Sequence, residues 1–265
     1  MMNYLFWNTN KRKVNNILTM MIKDLPCDII GLAEYEDDPN QLLRDLSKED
    51  CNFYYVPQIG CKRIHIFTKY TPNKIEPFPE SPYYTIKRIP HENLGFHLVA
   101  FVHLPSKLQK DSSGIGTELN YLKKEIEESE RKLNSTNSII MGDFNLNPFE
   151  DGMVSAMYGH SISSREVVKK GSRIIEHRAY SMFYNPMWNL LGDSIKPEGT
   201  YYFQKAQHVN YFWNIFDQVL IRPSLIKNFN INDMKILDEI RHVKLVNATG
   251  HPEISDHLPI YFKIV

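Results

Sequence analysis

The chain has 265 residues and carries 31 Lys plus Arg against 31 Asp plus Glu, a formal net charge of zero that argues against wrapping nucleic acid by bulk charge. Apolar residues make up 42% and charged residues 23%, with 15 Tyr and 14 Phe, a composition that excludes disorder and low complexity. No run approaches the roughly 18 apolar residues of a transmembrane helix, so no membrane insertion is expected.

In chain order, residues 3–7 are apolar and aromatic and predict a strand, ended by the polar triplet Asn8-Thr9-Asn10. Val14, Ile17, Leu18, Met21, Ile22 and Leu25 recur at helical spacing, and Pro26 stops that helix. Residues 28–34 read as a short buried strand, and pattern alone puts a helix over 40–48. Stretches 52–56, 64–69 and 83–89 are rich in aromatic and β-branched residues and predict strands. Pro72, Pro77, Pro79 and Pro82 predict one irregular loop between them. Residues 96–104 are apolar on both faces apart from His97 and His103, which predicts a central strand. The longest helix is expected over 116–133, with Leu119, Leu122, Ile126 and Leu133 inward and a solvated Lys/Glu face outward. Strands at 138–141, 216–221, 231–237 and 260–265 complete the set.

No repeat and no Gly/Ser/Pro linker interrupts this order, so a single domain over 1–265 is expected. Nine or ten strands with few helices predict an α/β (α+β) architecture, two packed sheets flanked by helices. A doubly wound parallel sheet fits less well, because many consecutive strands are separated by too little chain for crossovers. Cys27, Cys51 and Cys61 have spacings that suit neither zinc nor a disulfide framework. The first 13 residues put apolar ahead of basic residues, the reverse of a secretory signal. Both features point to a soluble protein of the reducing cytoplasm.

Four expected strand ends finish in residue types that bind metal and phosphate: Asn8, Glu34, Gly142-Asp143-Phe144-Asn145 and Ser255-Asp256-His257. Any one of them alone reads as turn chemistry. Their order and spacing carry the signal. With Phe6-Trp7-Asn8, the run from Asp28 to Glu34, the run from Val99 to Leu104 and Phe216-Asp217-Gln218-Val219-Leu220, the chain resembles the endonuclease/exonuclease/phosphatase superfamily. These are DNase I-like, magnesium-dependent phosphoesterases, and the resemblance runs from Asn3 to the C-terminus. It implies a four-layer, two-sheet β-sandwich.

The resemblance implies a metal at Glu34 with Asp256 and Asn8 at or near it, Asp143 orienting the nucleophile, and Asn145 stabilising the transition state. It implies that His257 contacts the scissile phosphate or moves a proton, held in one tautomer by Asp217. The donor types suit this chemistry: oxygen ligands without cysteine favour magnesium, with manganese as the alternative, and a hard cation offsets the anionic phosphodiester. Asp143 and Asn145 stand two apart, which on extended chain points both side chains the same way. His103 sits at a strand end where the phosphodiesterase branches carry an active-site histidine, and is expected to bind phosphate or act as general acid. His97, on the same face, is expected to be a core residue.

The DNA-repair branch has Gln before its metal-binding Glu and Lys two after it, whereas here Ala33 precedes Glu34 and Glu36-Asp37-Asp38 follows. That acidic rim is expected to repel a duplex. The inositol phosphatase branch has Trp two before its Gly-Asp and an Asp-Arg pair, where this chain has Ile140 and Asp217-Gln218. Residues 199–203 and 213–217 look like an uncharacterised bacterial-type subgroup. Lys11, Arg12 and Lys13 follow Asn8 and open a helix whose N-terminal amides favour an anion, so they are expected to bind substrate. Lys62-Arg63 and the cluster from Lys169 to Arg178 read as solvated surface. Aromatic residues from Tyr201 to Trp213 either stack on bases or pack.

The expected activity is a nuclease or nucleotide phosphodiesterase, with single-stranded nucleic acid or a nucleotide favoured as substrate. The alternatives are a phosphomonoesterase or an inositol/sphingolipid-type headgroup hydrolase and, in another class, a non-catalytic binding module that retains the fold.

Overall fold

The computed structural model describes residues 1–206 and 208–265. It runs β1 (Met2–Asn8), α1 (Asn15–Asp24), β2 (Ile29–Ala33), α2 (Pro39–Lys48), β3 (Tyr54–Val56), β4 (Ile64–Thr68), β5 (Glu76–Ser81), β6 (Tyr84–His91), β7 (Gly95–His103), α3 (Ser112–Leu133) and β8 (Ser138–Asp143). Short elements follow: α4 (Asp151–Val154), β9 (Ser161–Ile162), α5 (Arg165–Val168), the β10 (Ser172–Ile175) and β11 (Arg178–Ser181) hairpin, and β12 (Phe183–Tyr184). The last part holds β13 (Tyr201–Tyr202), β14 (Trp213–Asn214), β15 (Asp217–Ile221), β16 (Lys235–Ile236), β17 (Glu239–Ile240), β18 (Val243–Lys244) and β19 (Ile260–Ile264).

Two sheets carry the architecture. The six-stranded sheet has the order β16-β19-β1-β2-β4-β3, and the seven-stranded sheet β5-β6-β7-β8-β15-β12-β9. The parallel pairs β1/β2 and β7/β8 are connected through α1 and α3. Elsewhere the neighbours are mostly antiparallel, as short connections require.

Strand alternation assigns the layers. In the second sheet, Val99, Phe101, Ile139, Met141 and Val219 face the first sheet and share its core with Leu5, Phe6 and Ile66. Their neighbours Leu98, Ala100, Val102, Ile140 and Leu220 face the other way, onto Ile115, Leu119, Leu122 and Ile126 of α3. Ile17, Leu18 and Met21 of α1 and Leu42 and Leu46 of α2 join the first sheet's core. The result is the four-layer, two-sheet sandwich that the sequence resemblance implies. At the sheet crossing a Cβ on Gly31 would come 2.8 Å from the Phe101 ring, so only glycine lets the sheets approach there.

Three sequence expectations need correction. Residues 76–81 form the edge strand β5 despite Pro77 and Pro79; the register shifts between Pro77 and Glu80, and an edge tolerates a missing N–H. Residues 231–237 yield only the two-residue β16, because Ile231–Asp233 winds into a 3₁₀ turn capped by the Asn230 side chain. The third helix starts at Ser112 rather than 116, since Asp111 caps it by accepting from the Gly114 N–H at 2.8 Å.

Candidate active site

The register of both sheets brings the polar strand ends to one edge. Asn8 lies opposite Ala33 in the first sheet, and Glu34 follows with a left-handed φ of 48°. In the second sheet His103 pairs with Asp143, and Asp143 with Asp217. Gly142 makes this alignment possible. Its φ is +149°, and a Cβ there would lie 2.0 Å from the Val102 carbonyl oxygen.

Asp143 is at the centre and is 1% exposed. Its Oδ2 accepts from Asn8 Nδ2 at 2.9 Å, a bond that links the two sheets, and its Oδ1 accepts from the Asn145 backbone N–H at 2.9 Å. His103 Nε2 and His257 Nε2 each lie 3.9 Å from the same Oδ2. His103 Nε2 is also 3.5 Å from Glu34 Oε1. His257 Nδ1 bonds Asp217 Oδ2 at 2.7 Å. Its carbonyl accepts from Trp7 Nε1 at 2.9 Å, and the Tyr201 ring lies 4.7 Å from its own. Thr200 Oγ1 accepts from the N–H groups of Phe216 and Asp217, fixing the start of β15.

The two histidines have opposite electrostatics. Burial works against a charged His257, but Asp217 and Asp143 outweigh it and push its pKa up to about 10. Burial pushes the Asp217 carboxyl up to about 6 even beside His257, so near neutral pH the two form an ion pair. Burial pushes His103 below the ordinary histidine value, against the opposing pull of Asp143 and Glu34. The site therefore pairs an imidazolium with a neutral imidazole.

Of the residues expected from the sequence, Asn8, Glu34, His103, Asp143, Asp217 and His257 converge through these contacts. Asp256 reaches the same edge through its neighbour Ser255, whose hydroxyl donates to the Asn8 carbonyl at 2.8 Å. The compact group of metal-ligating types is Asp143, Asp217 and His257, with ligand atoms within 4.8 Å of one another; Glu34 and Asp256 stand outside it. Asn145 is present, but the extended geometry expected for it is not. The strand ends at Asp143, Asn145 takes φ 52°, and its Nδ2 donates to the Leu104 carbonyl at 2.9 Å. His97 is fully buried, bonded to the Tyr4 hydroxyl and stacked on His91 at 4.3 Å, a core residue as expected.

The basic cluster divides. A cleft of about 350 Å³ opens beside Glu34 and His103 and is lined by Lys11, Lys62, Arg63 and Gln109 with Tyr35 and Glu36. Lys11 belongs to it, whereas Arg12 and Lys13 do not line it; Lys13 turns to Asp37 at 3.4 Å and to the Glu36 carbonyl. The amides at the start of α1 do not face a free anion site. Asp37 Oδ2 already accepts from the N–H groups of Val14 and Asn15 at 2.8 and 3.0 Å. Asp38 caps α2 through the Asn40 N–H. The expected acidic rim is thus partly consumed as helix caps.

Lys62 and Arg63, read from the sequence as surface, are cleft residues. The signal was the strand pairing: Ile64 lies opposite Ala33 in the β2/β4 ladder, so the residues just before it sit beside Glu34. The sequence assigns no role to Thr200 or Gln109. The aromatic segment splits: Tyr201 stacks between Phe203, Phe216 and His257, while Tyr211 and Phe212 remain about half exposed. A larger groove of about 890 Å³ around Leu25, Ile195 and Ile236 shares no lining residue with this site.

A sequence model of the endonuclease/exonuclease/phosphatase family matches residues 5–257. A search of curated proteins finds no match. Among solved structures, an AP endonuclease from Archaeoglobus fulgidus superposes with a TM-score of 0.58 at 16% identity, covering 100% of this chain and 99% of that one. The 3′ phosphatase NExo from Neisseria, bound to product DNA hairpin, gives 0.57 at 16% identity with full coverage of both chains. TDP2 from D. rerio, complexed with single-strand DNA product, gives 0.53 at 14% identity over 98% of this chain and 97% of that one. At such identities the likeness establishes the shared fold. No helix among the described residues is long and apolar enough to cross a membrane.

Proposed function

The chain belongs to the endonuclease/exonuclease/phosphatase family of phosphoester-hydrolysing enzymes, and on that premise we propose that it is a divalent-metal-dependent phosphodiesterase acting on a nucleic-acid strand or a nucleotide. The observation that carries the reading is the buried Asp217–His257 ion pair beside Asp143. Asp217 holds Nδ1, so His257 presents Nε2–H toward Asp143 as a cationic donor for a phosphoryl oxygen. Asp143 is an acceptor fixed by Asn8 and the Asn145 amide, placed to orient a water for attack. His103, neutral and 3.5 Å from Glu34, is placed to accept a proton as a general base.

The donor set fits a hard divalent cation, magnesium first and manganese second. Glu34, Asp256 and the Asn8 amide are oxygen donors, Glu34 is part-exposed in the cleft, and no cysteine lies among them. Such a cation offsets phosphate charge and polarises a phosphoryl oxygen. The DNA products held by the NExo and TDP2 structures support a nucleic-acid substrate, and single strands suit a cleft with few cations. One domain spanning residues 1–265, acting in the cytoplasm, would carry this activity.

The test is hydrolysis of bis(4-nitrophenyl) phosphate, single-stranded oligonucleotides, inositol phosphates and sphingolipid headgroups with magnesium. Turnover of the aryl diester and the oligonucleotide is expected. Turnover of headgroup substrates with oligonucleotides left intact would replace this reading with the lipid one, and silence on every substrate would favour a binding module.

A further inference from the structure

We propose that Lys62 and Arg63, with Lys11 and Gln109, form a second anion subsite beside the catalytic centre, one that takes the phosphate adjacent to the scissile one. The substrate then carries at least two phosphates in series. This inference rests on the phosphodiesterase reading above.

The first support is unsatisfied charge. Three other cations near the cleft are neutralised, Lys13 by Asp37, Lys107 by Glu150 and Lys110 by Glu118, while Arg12, also unpaired among the described residues, does not line it. Lys62 and Arg63 pair with no carboxylate among the described residues. Lys11 reaches only Glu36, at 3.8 Å, with both side chains more than half exposed, a contact worth little and readily exchanged. Three cations therefore line a cleft whose only carboxylates are Glu34 and Glu36. A lone phosphate at the Asp143–His257 centre would leave them without a partner.

The second support is pre-organisation. The Arg63 carbonyl accepts from the Glu34 N–H at 3.3 Å, so its backbone is tied to the catalytic edge. Its guanidinium lies 4.9 Å from the centre of the Tyr83 ring, which leaves the planar fork free to grip a phosphate through two parallel N–H bonds. The preceding turn is clamped by Glu80. Its Oε2 accepts from the N–H groups of Ile59 and Gly60 at 3.0 and 2.6 Å, while its Oε1 accepts from Thr85 Oγ1 and Lys87 Nζ at 2.7 and 2.6 Å. Arg63 is thus held in place before any ligand arrives, which lowers the ordering cost of binding. Arg63 and His103 line the same cleft, so one ligand can reach both groups.

The second phosphate has two possible sources, a neighbouring link of a short strand or a linear polyphosphate. Thymidine dinucleotides with and without a terminal 5′- or 3′-phosphate, and a dinucleoside polyphosphate, separate them. The wild type is expected to show a kcat/KM at least tenfold higher for a phosphorylated dinucleotide than for the unphosphorylated one. In Lys62→Gln/Arg63→Gln that ratio should fall toward one. A higher kcat/KM for the dinucleoside polyphosphate than for either dinucleotide assigns the linear source. No phosphate preference in the wild type, or an unchanged ratio in the variant, overturns the subsite. Calorimetric titration with inorganic pyrophosphate gives a readout free of turnover: binding at least tenfold weaker in the variant supports the subsite, and equal affinity overturns it. A wild type that hydrolyses no diester refutes the phosphodiesterase reading itself and leaves calorimetry to judge the subsite.

Discussion

Asp217 Oδ2 lies 2.7 Å from His257 Nδ1, and the pair sits at the closed end of the site, with Asp217 wholly buried and His257 nearly so. A charged ring is costly to bury alone, and the carboxylate offsets that cost while fixing the ring's orientation. His103, facing Asp143 at the same 3.9 Å from the other side, lacks such a partner, and its Nδ1 has none among the described residues. Environments that push two histidines apart in proton affinity assign them different roles.

Asp143→Asn and His257→Ala should each lower kcat by at least about two powers of ten with the fold retained. Asp217→Asn should act through His257, so the double variant Asp217→Asn/His257→Ala should lose little more than His257→Ala alone. Circular dichroism checks the fold and steady-state kinetics the rates. Additive losses would show that Asp217 does not work through the ring.

Chelation should abolish turnover, and magnesium should restore it. Glu34→Ala removes a cleft carboxylate 3.5 Å from His103, and should raise the magnesium concentration for half-maximal activity by about tenfold or more. Titrating activity against free magnesium decides this; an unchanged requirement would move the metal to Asp143 and its neighbours.

Gly142→Ala should destabilise by roughly 3 kcal/mol or more, since its Cβ would strike the Val102 backbone and the φ of +149° is strained for any L side chain. The β7/β8 ladder would have to part where His103 meets Asp143, so activity should fall further than stability alone explains. Urea unfolding with parallel assays of the folded fraction measures both. A variant of wild-type stability would mean that the strands yield without cost.

The strand ends were legible because each follows a run of apolar residues that had to be buried, leaving Asn8, Glu34 and Asp143 at the rim. What stayed hidden depends on partners distant in sequence. Asp37 caps a helix more than twenty residues upstream of it, which no local pattern announces. Lys62 and Arg63 look like ordinary surface charge until the β2/β4 pairing sets them against Glu34. Asn145 was misjudged because β8 ends two residues earlier, where the Asp143 carboxylate captures its amide and turns the chain.

Glu80→Gln should destabilise the fold at pH 7 by about 2 kcal/mol, because Lys87 is almost fully buried against this carboxylate and would lose its counter-ion. Burial alone would raise the Glu80 carboxyl, but Lys87, the Gly60 N–H and Thr85 prevail and hold it at about 2, against 4.5 for an ordinary glutamate. A depressed carboxyl contributes stability above its unfolded value and loses that contribution as pH falls through its folded value. The gap between wild type and variant should therefore be constant above pH 4.5, narrow below it and nearly close by pH 2. Denaturant unfolding of both proteins across that range measures the gap. A gap that persists undiminished at pH 2 would show that the Glu80 charge does not hold this turn, and with it the Lys62–Arg63 edge of the cleft.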